Sequence, residues 1–167
     1  MYQRFCAYGF GLDYPKGWRI SFGKKFSRSN GYVVIESKLN RIFASWGRLQ
    51  SIPEGYRSPQ AHSKASLSKL AKARNPREIH LLARSDLNVN GHNAAFAHFS
   101  IDRSGMLLQK ANKREIRSIH VHCPDSDRFF ILYLSSTEEE LVGDSLRIFD
   151  RLKESFACHE KRDLIAT

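Results

Sequence analysis

Asn90-Gly91 sits between two stretches of alternating side chains, and this dipeptide constrains the fold more than any other feature of the sequence. A two-residue hairpin loop requires positive φ at both central positions, and Asn-Gly adopts it at the least steric cost. Residues 88–102 therefore read as the central hairpin of an antiparallel sheet. After the turn, Ala94, Phe96, His98 and Ser100 fall on one strand face, and Ala95, Ala97, Phe99 and Ile101 on the other. Both faces carry apolar side chains, as in a strand covered on both sides. The four alanines leave room for a bulky cover, expected to be a helix. His92 and His98 share a face, where packing and local hydrogen bonds account for them.

Turn and cap signals divide the rest of the chain. Residues 9–14 read as a first strand, with Phe10, Leu12 and Tyr14 alternating against Gly11 and Asp13, and Pro15-Lys16-Gly17 is a turn. Residues 18–26, 32–37 and 39–48 follow as strands, so that four strands are expected to form a meander. Residues 51–59 form a loop that ends in a helix entry, Ser58 as N-cap and Pro59 at the first helical position. The helix is expected over 60–75, ended by Pro76. Its apolar stripe is thin (Ala61, Leu67, Leu70, Ala71, Ala73), as on a surface helix.

Residues 78–89 lead into the hairpin, and 103–112 read as a polar loop. Residues 113–123 alternate as a strand, with Ile116, Ser118, His120 and His122 on one face and Ile119, Val121 and Cys123 on the other. After a turn at 124–127, residues 128–134 are the most apolar run, expected as a central strand. Thr137 to Glu140 has the form of a capping box. The helix it opens runs to about Ala157, with Val142, Ser145, Leu146, Phe149, Leu152 and Phe156 as its buried stripe and Leu141 and Ile148 at the margin. Residues 161–167 are expected to fray. The pattern is α+β: one domain over 1–167, its core about 9–157, with an antiparallel sheet of about seven or eight strands flanked by two main helices.

Tyr14-Pro15-x-Gly17-Trp18, Asn90-Gly91-His92-x-Ala94, Arg128-Phe129-Phe130-Ile131 and the closing Ser155-Phe156 resemble the PsbP-like superfamily over about residues 9–157. That family includes a photosystem extrinsic protein and a Ran-binding nuclear import factor. The resemblance implies an α/β/α sandwich around a central antiparallel sheet. It also implies a docking or assembly protein rather than an enzyme, with no catalytic set to carry over.

Charge is the unusual quantity: 27 Lys and Arg against 17 Asp and Glu give +10, a balance that attracts polyanions. Three basic clusters are the expected polyanion-binding residues. One is Lys24, Lys25 and Arg28; another is Lys110, Lys113, Arg114 and Arg117; the third is the first helix, with Lys64, Lys69 and Lys72 outward. Tyr32 and Tyr56 are the aromatics expected beside them. Glycine-rich phosphate loops, the nucleophile elbow, H-E-x-x-H and C-x-x-C are all absent from the sequence, which argues against the common enzyme classes. No run reaches the ~18 apolar residues of a membrane span. The first residues lack a secretory-signal pattern, so a cytoplasmic protein is expected.

Three cysteines, Cys6, Cys123 and Cys158, make no disulfide framework. The sharpest candidate metal site is His120, His122 and Cys123 with Cys158 and His159, since imidazole and thiolate suit Zn²⁺. His120 and His122 point the same way about 7 Å apart, while Cys123 faces the opposite side, so these three cannot bind one ion together without distortion. Buried thiols and packed strand histidines are the ordinary account of the same residues. The reading is a non-enzymatic binding or adaptor module with a protein partner and no cofactor. The alternatives are a basic nucleic-acid-binding protein, and a small metal- or redox-linked protein using Cys123 and Cys158.

Overall fold

The computed structural model describes residues 1–73, 79–103, 112–137 and 144–159. In chain order the strands are β1 (Tyr2–Ala7), β2 (Phe10–Pro15), β3 (Arg19–Phe22), β4 (Gly31–Glu36), β5 (Asn40–Arg48), β6 (Ile79–Val89), β7 (His92–Arg103), β8 (Asn112–Cys123) and β9 (Arg128–Thr137); the helices are α1 (Pro59–Ala73) and α2 (Asp144–Ser155). Seven strands form one antiparallel sheet in the order β3-β4-β5-β9-β8-β7-β6, and β1 and β2 form a separate two-stranded sheet. The Asn90-Gly91 turn forms as expected, with φ of 50° and 87°, and joins β6 to β7, but the hairpin lies at the edge of the sheet rather than at its centre, with β6 the exposed edge strand. The apolar run of β9 is the middle strand, paired on both sides.

One face of the large sheet packs on the β1–β2 hairpin and α2, with Phe10, Leu12, Val33, Ile35, Ile42, Ile119, Leu132 and Leu152 essentially inaccessible. The other face receives α1 across β7 and β8, where Leu67 and Leu70 meet Phe99, Ile101 and Ile116. This is the α/β/α sandwich, with β2 inserted beneath α2. Asp13 is buried within β2 because Arg4 and Arg151 both bond its carboxylate.

Four further expectations change. The first strand does not open a meander. It pairs with β1 through a turn at Tyr8 (φ 54°) and Gly9 (φ 72°), and tyrosine at positive φ carries no turn signal in sequence. The second strand ends at Phe22 rather than Phe26. Thr137, expected to open a helix, is the last residue of β9 and pairs with Arg114; Glu138–Glu140 lie outside the described residues. Within α2 the stripe is rotated: Ser145, Ile148, Phe149 and Leu152 are buried, while Leu146 is 47% exposed. Leu141 and Val142, the helix end beyond Ala73 and the 161–167 tail also lie outside the described residues. Ser58 does cap α1, its Oγ accepting from the Ala61 N–H at 3.1 Å.

The rotated stripe is testable. Leu152→Ala is expected to cost about 2–5 kcal/mol, whereas Leu146→Ala changes stability by less than about 0.5 kcal/mol. Denaturant unfolding of both variants checks the phase of α2, and equal losses would contradict it.

Candidate metal centre

Strand alternation decides which side chains meet at the end of the sheet where β8 stops. In β8, His120 and His122 point to the α1 face and Val121 and Cys123 to the α2 face. The β7–β8 register pairs Ala94 with Val121, and extended two residues it sets His92 opposite Cys123. The chain leaving α2 crosses the same spot. Ala157 makes a backbone bridge with Gly11, 2.8 Å in both directions, and the Asn90 side-chain amide donates to the Phe156 carbonyl. Cys158 and His159 therefore arrive beside Cys123.

The result is a cluster of His92, Cys123, Cys158 and His159 whose ligand atoms all lie within 4.8 Å of one another. The two sulfurs are 3.1 Å apart, and Cys123 Sγ is 3.3 Å from His159 Nε2 and 4.0 Å from His92 Nε2. Ser126 Oγ donates to Cys123 Sγ at 3.0 Å, and Asp125 Oδ2 stands 3.5 Å from His159 Nε2. Both thiols are buried, while His159 is exposed at the mouth. Burial, and then the hydrogen bond with Cys123, push the Cys158 thiol up to about 12, so it is protonated at neutral pH in the absence of a metal. An open cleft of ≈ 760 Å³ leads to the cluster, lined among others by Arg28, Arg48, Asp125, Arg128 and His159.

Arg128, buried at the start of β9, organises this end. Its guanidinium donates to the carbonyls of Tyr8 and Arg28 through Nη1, and to those of Gly9 and Cys158 through Nη2. It also lies 4.9 Å above the Phe130 ring.

The expected metal set divides. Cys123, Cys158 and His159 come together. His120 and His122 do not join them, because strand alternation sends them to the opposite face, where they meet His62 of α1. The histidine that completes the cluster is His92, which the sequence reading assigned to packing. There His122 Nδ1 lies 3.0 Å from the Arg57 carbonyl, and must donate to it. Its Nε2 then accepts from His62 Nδ1 at 3.2 Å. Burial first, and the neighbouring rings second, hold His62 down to about 4 and His120 to about 3.

Among the described residues the basic clusters do not converge. β3 and β8 run in the same direction four strand spacings apart, roughly 19 Å. Lys24 and Lys25, beyond the end of β3, and Lys113 and Arg114, at the start of β8, therefore lie at opposite ends of the sheet. Lys64, Lys69 and Lys72 are exposed on α1, over one face. Arg28 lines the cleft beside Gly9. Arg117 is no surface cation: it is buried on the α2 side, 3.3 Å from Glu115, which also bonds His98 at 2.9 Å. Lys110 lies outside the described residues. Tyr32 and Tyr56 are exposed as expected.

A second concave feature lies on the α1 face, where α1 stops short of β4, β5 and β9. Tyr32, Phe43 and Tyr133 stack across these strands, with ring centroids 5.3 and 4.7 Å apart. Ile131 and Tyr133 face Leu67 and Leu70 of α1 across an apolar groove.

The fold is of the type shared by PsbP-like and Mog1 structures. Cyanobacterial PsbP from Synechocystis sp. PCC 6803 matches with a TM-score of 0.62 at 15% identity, over 93% of this chain and 91% of that one. The Saccharomyces cerevisiae Ran-binding protein Mog1p matches with a TM-score of 0.62 at 8% identity, over 95% of each chain. At these identities the likeness is one of fold alone. Neither a family model nor a curated protein matches the sequence. No described helix is long and apolar enough to cross a membrane.

Two measurements test this geometry. Lysine cannot span four carbonyls as a guanidinium does, so Arg128→Lys is expected to lower unfolding stability by about 2–4 kcal/mol. His62 and His120 titrate lower folded than their ordinary value of about 6.5. The unfolded chain thus binds more protons, and their stabilising contribution, full above pH 6.5, is lost as pH falls toward 4. The urea midpoint is expected to fall from pH 7 to pH 5, with a smaller fall in His120→Gln; an unchanged pH slope in that variant would refute the assignment.

Proposed function

We propose that this chain is a non-enzymatic protein-binding module acting in the cytoplasm, and that its docking surface is the groove between α1 and the uncovered half of the sheet. The observation that carries the proposal is the ladder of Tyr32, Phe43 and Tyr133, which no described element covers. Tyr32 is exposed and Phe43 and Tyr133 partly so, and partly exposed aromatic rings present apolar area with little conformational entropy to lose on binding. The wall opposite, Leu67 and Leu70, is fixed by α1, so the groove has two apolar sides. Its surroundings are cationic: Arg41 lies on the same sheet face, and Lys64, Lys69 and Lys72 lie along α1. The occupant that fits is an apolar segment of a protein partner flanked by acidic residues. Mog1p, which shares the fold, is described as Ran-binding, a precedent for a protein partner on this scaffold. Among the described residues the basic clusters spread over two ends and one face rather than along one track, which disfavours a phosphate backbone as the partner.

A photo-reactive phenylalanine analogue at Phe43 tests the reading, with the same analogue at exposed Glu154 on α2 as the control. In cells, a discrete protein adduct is expected from position 43 and not from 154, and Tyr133→Asp should abolish it. Equal adducts from both positions, or none, would overturn the proposal.

A further inference from the structure

We propose that His92, Cys123, Cys158 and His159 form a closed tetrahedral site for a divalent ion of the zinc type. The site lies on the α2 side of the sheet and does not depend on the binding groove.

Tetrahedral zinc holds sulfur at about 2.3 Å and imidazole nitrogen at about 2.0–2.1 Å, which places neighbouring ligand atoms roughly 3.3–3.8 Å apart. The four side chains already span no more than 4.8 Å, with sulfur–sulfur and sulfur–nitrogen separations of 3.1, 3.3 and 4.0 Å. Closure onto an ion needs side-chain shifts of about 1 Å. Two thiolates and two imidazoles select zinc, cobalt or cadmium over magnesium or calcium, which require oxygen ligands. Two thiolates also neutralise a divalent charge, so the ion adds no net charge beside buried Arg128.

The ligands come from three places in the chain: just past the Asn90-Gly91 turn, the end of β8, and the segment after α2. Each is positioned independently of an ion. The turn and sheet register set His92 and Cys123. The Gly11 bridge, the Asn90 amide and Arg128 set Cys158 and His159. One group around the ligands suits a metal centre: Ser126 Oγ donates to Cys123 Sγ, as outer groups orient thiolates at metal sites. Four protein ligands leave no open position, so the ion is structural. It fastens the segment after α2 to the β6–β7 hairpin and to β8.

The test uses the full chain, reduced, stripped with a chelator and titrated with Co²⁺. One equivalent is expected to bind with the ligand-field bands of tetrahedral cobalt and thiolate-to-cobalt charge transfer, and Zn²⁺ should displace it. Zn²⁺ should raise the thermal midpoint of the wild type. Cys6→Ser, whose thiol lies on β1, should bind unchanged. His92→Gln and His159→Gln should lose affinity by at least about 100-fold, more than the loss of an outer-shell group. Because neither histidine is fully buried, these variants decide the question even where Cys123→Ser fails to fold. Failure of the reduced protein to bind cobalt, a spectrum without thiolate charge transfer, or one unaltered in both histidine variants would overturn the proposal. So would a Cys123–Cys158 disulfide in the native protein together with no metal uptake after reduction.

Discussion

The buried guanidinium of Arg128 is the interaction on which one whole end of the molecule depends. Four carbonyls from four positions, Tyr8, Gly9, Arg28 and Cys158, converge on it. Three are in loops or turns that leave their strands, and the fourth lies beyond α2. A buried carbonyl without a donor costs about 1–3 kcal/mol, and a buried cation without acceptors costs more. Each group thus solves the other's problem. The planar fork of arginine matters, because its two terminal nitrogens reach opposite sides of the junction. Through this contact the β1–β2 hairpin, the β3–β4 loop and the C-terminal segment are tied to the central strand.

The two faces of the sheet have different fates because of what covers them. β1, β2 and α2 together span the inner face, and its side chains from β4 to β8 are close to fully buried. Among the described residues, α1 and the segment just before it cover the other face, and a helix about 10 Å across cannot blanket seven strands at about 4.8 Å spacing. Alternating strands must still carry something toward the uncovered half. On β4, β5 and β9 they carry Tyr32, Phe43, Ile131 and Tyr133 rather than charges alone. Gly47 in β5 belongs to the same pattern: a Cβ there would fall 2.5 Å from the Phe129 ring, so only glycine lets that ring lie across the strand, edge-on to His62.

Much of the sheet was legible because its signals are local. Asn90-Gly91 requires one turn geometry, Ser58-Pro59 one helix entry, and the run of β9 a strand buried on both faces. The misses are where a non-local partner decides. Tyr8-Gly9 turns only because Arg128 and the β1–β2 pairing hold it, so the place of β2 was invisible. α2 is rotated by what β2 and β9 present to it, which the helical period alone cannot specify. The candidate site was half legible for the same reason. Alternation showed that Cys123 faces away from His120 and His122, but the partner on its own face follows from the β7–β8 register. The signal that could have found His92 is its parity with Ala94 together with that register, and the register is a property of the pair rather than of either strand.

Energetics explain why the segment after α2 is where a metal bridge has the greatest effect. Ordering the backbone of residues 156–159 costs roughly 4–8 kcal/mol. Burying Phe156 returns about 2–3 kcal/mol, and the bonds to Gly11, Asn90 and Arg128 about 1 kcal/mol each. These terms nearly cancel, so the segment is held with little to spare although it lies against a well-packed core. It carries two of the four donors, and the other two sit on strands whose positions the sheet determines. An ion binding all four couples this segment to strands that the sheet already holds, and its binding free energy adds to the order of residues 156–159.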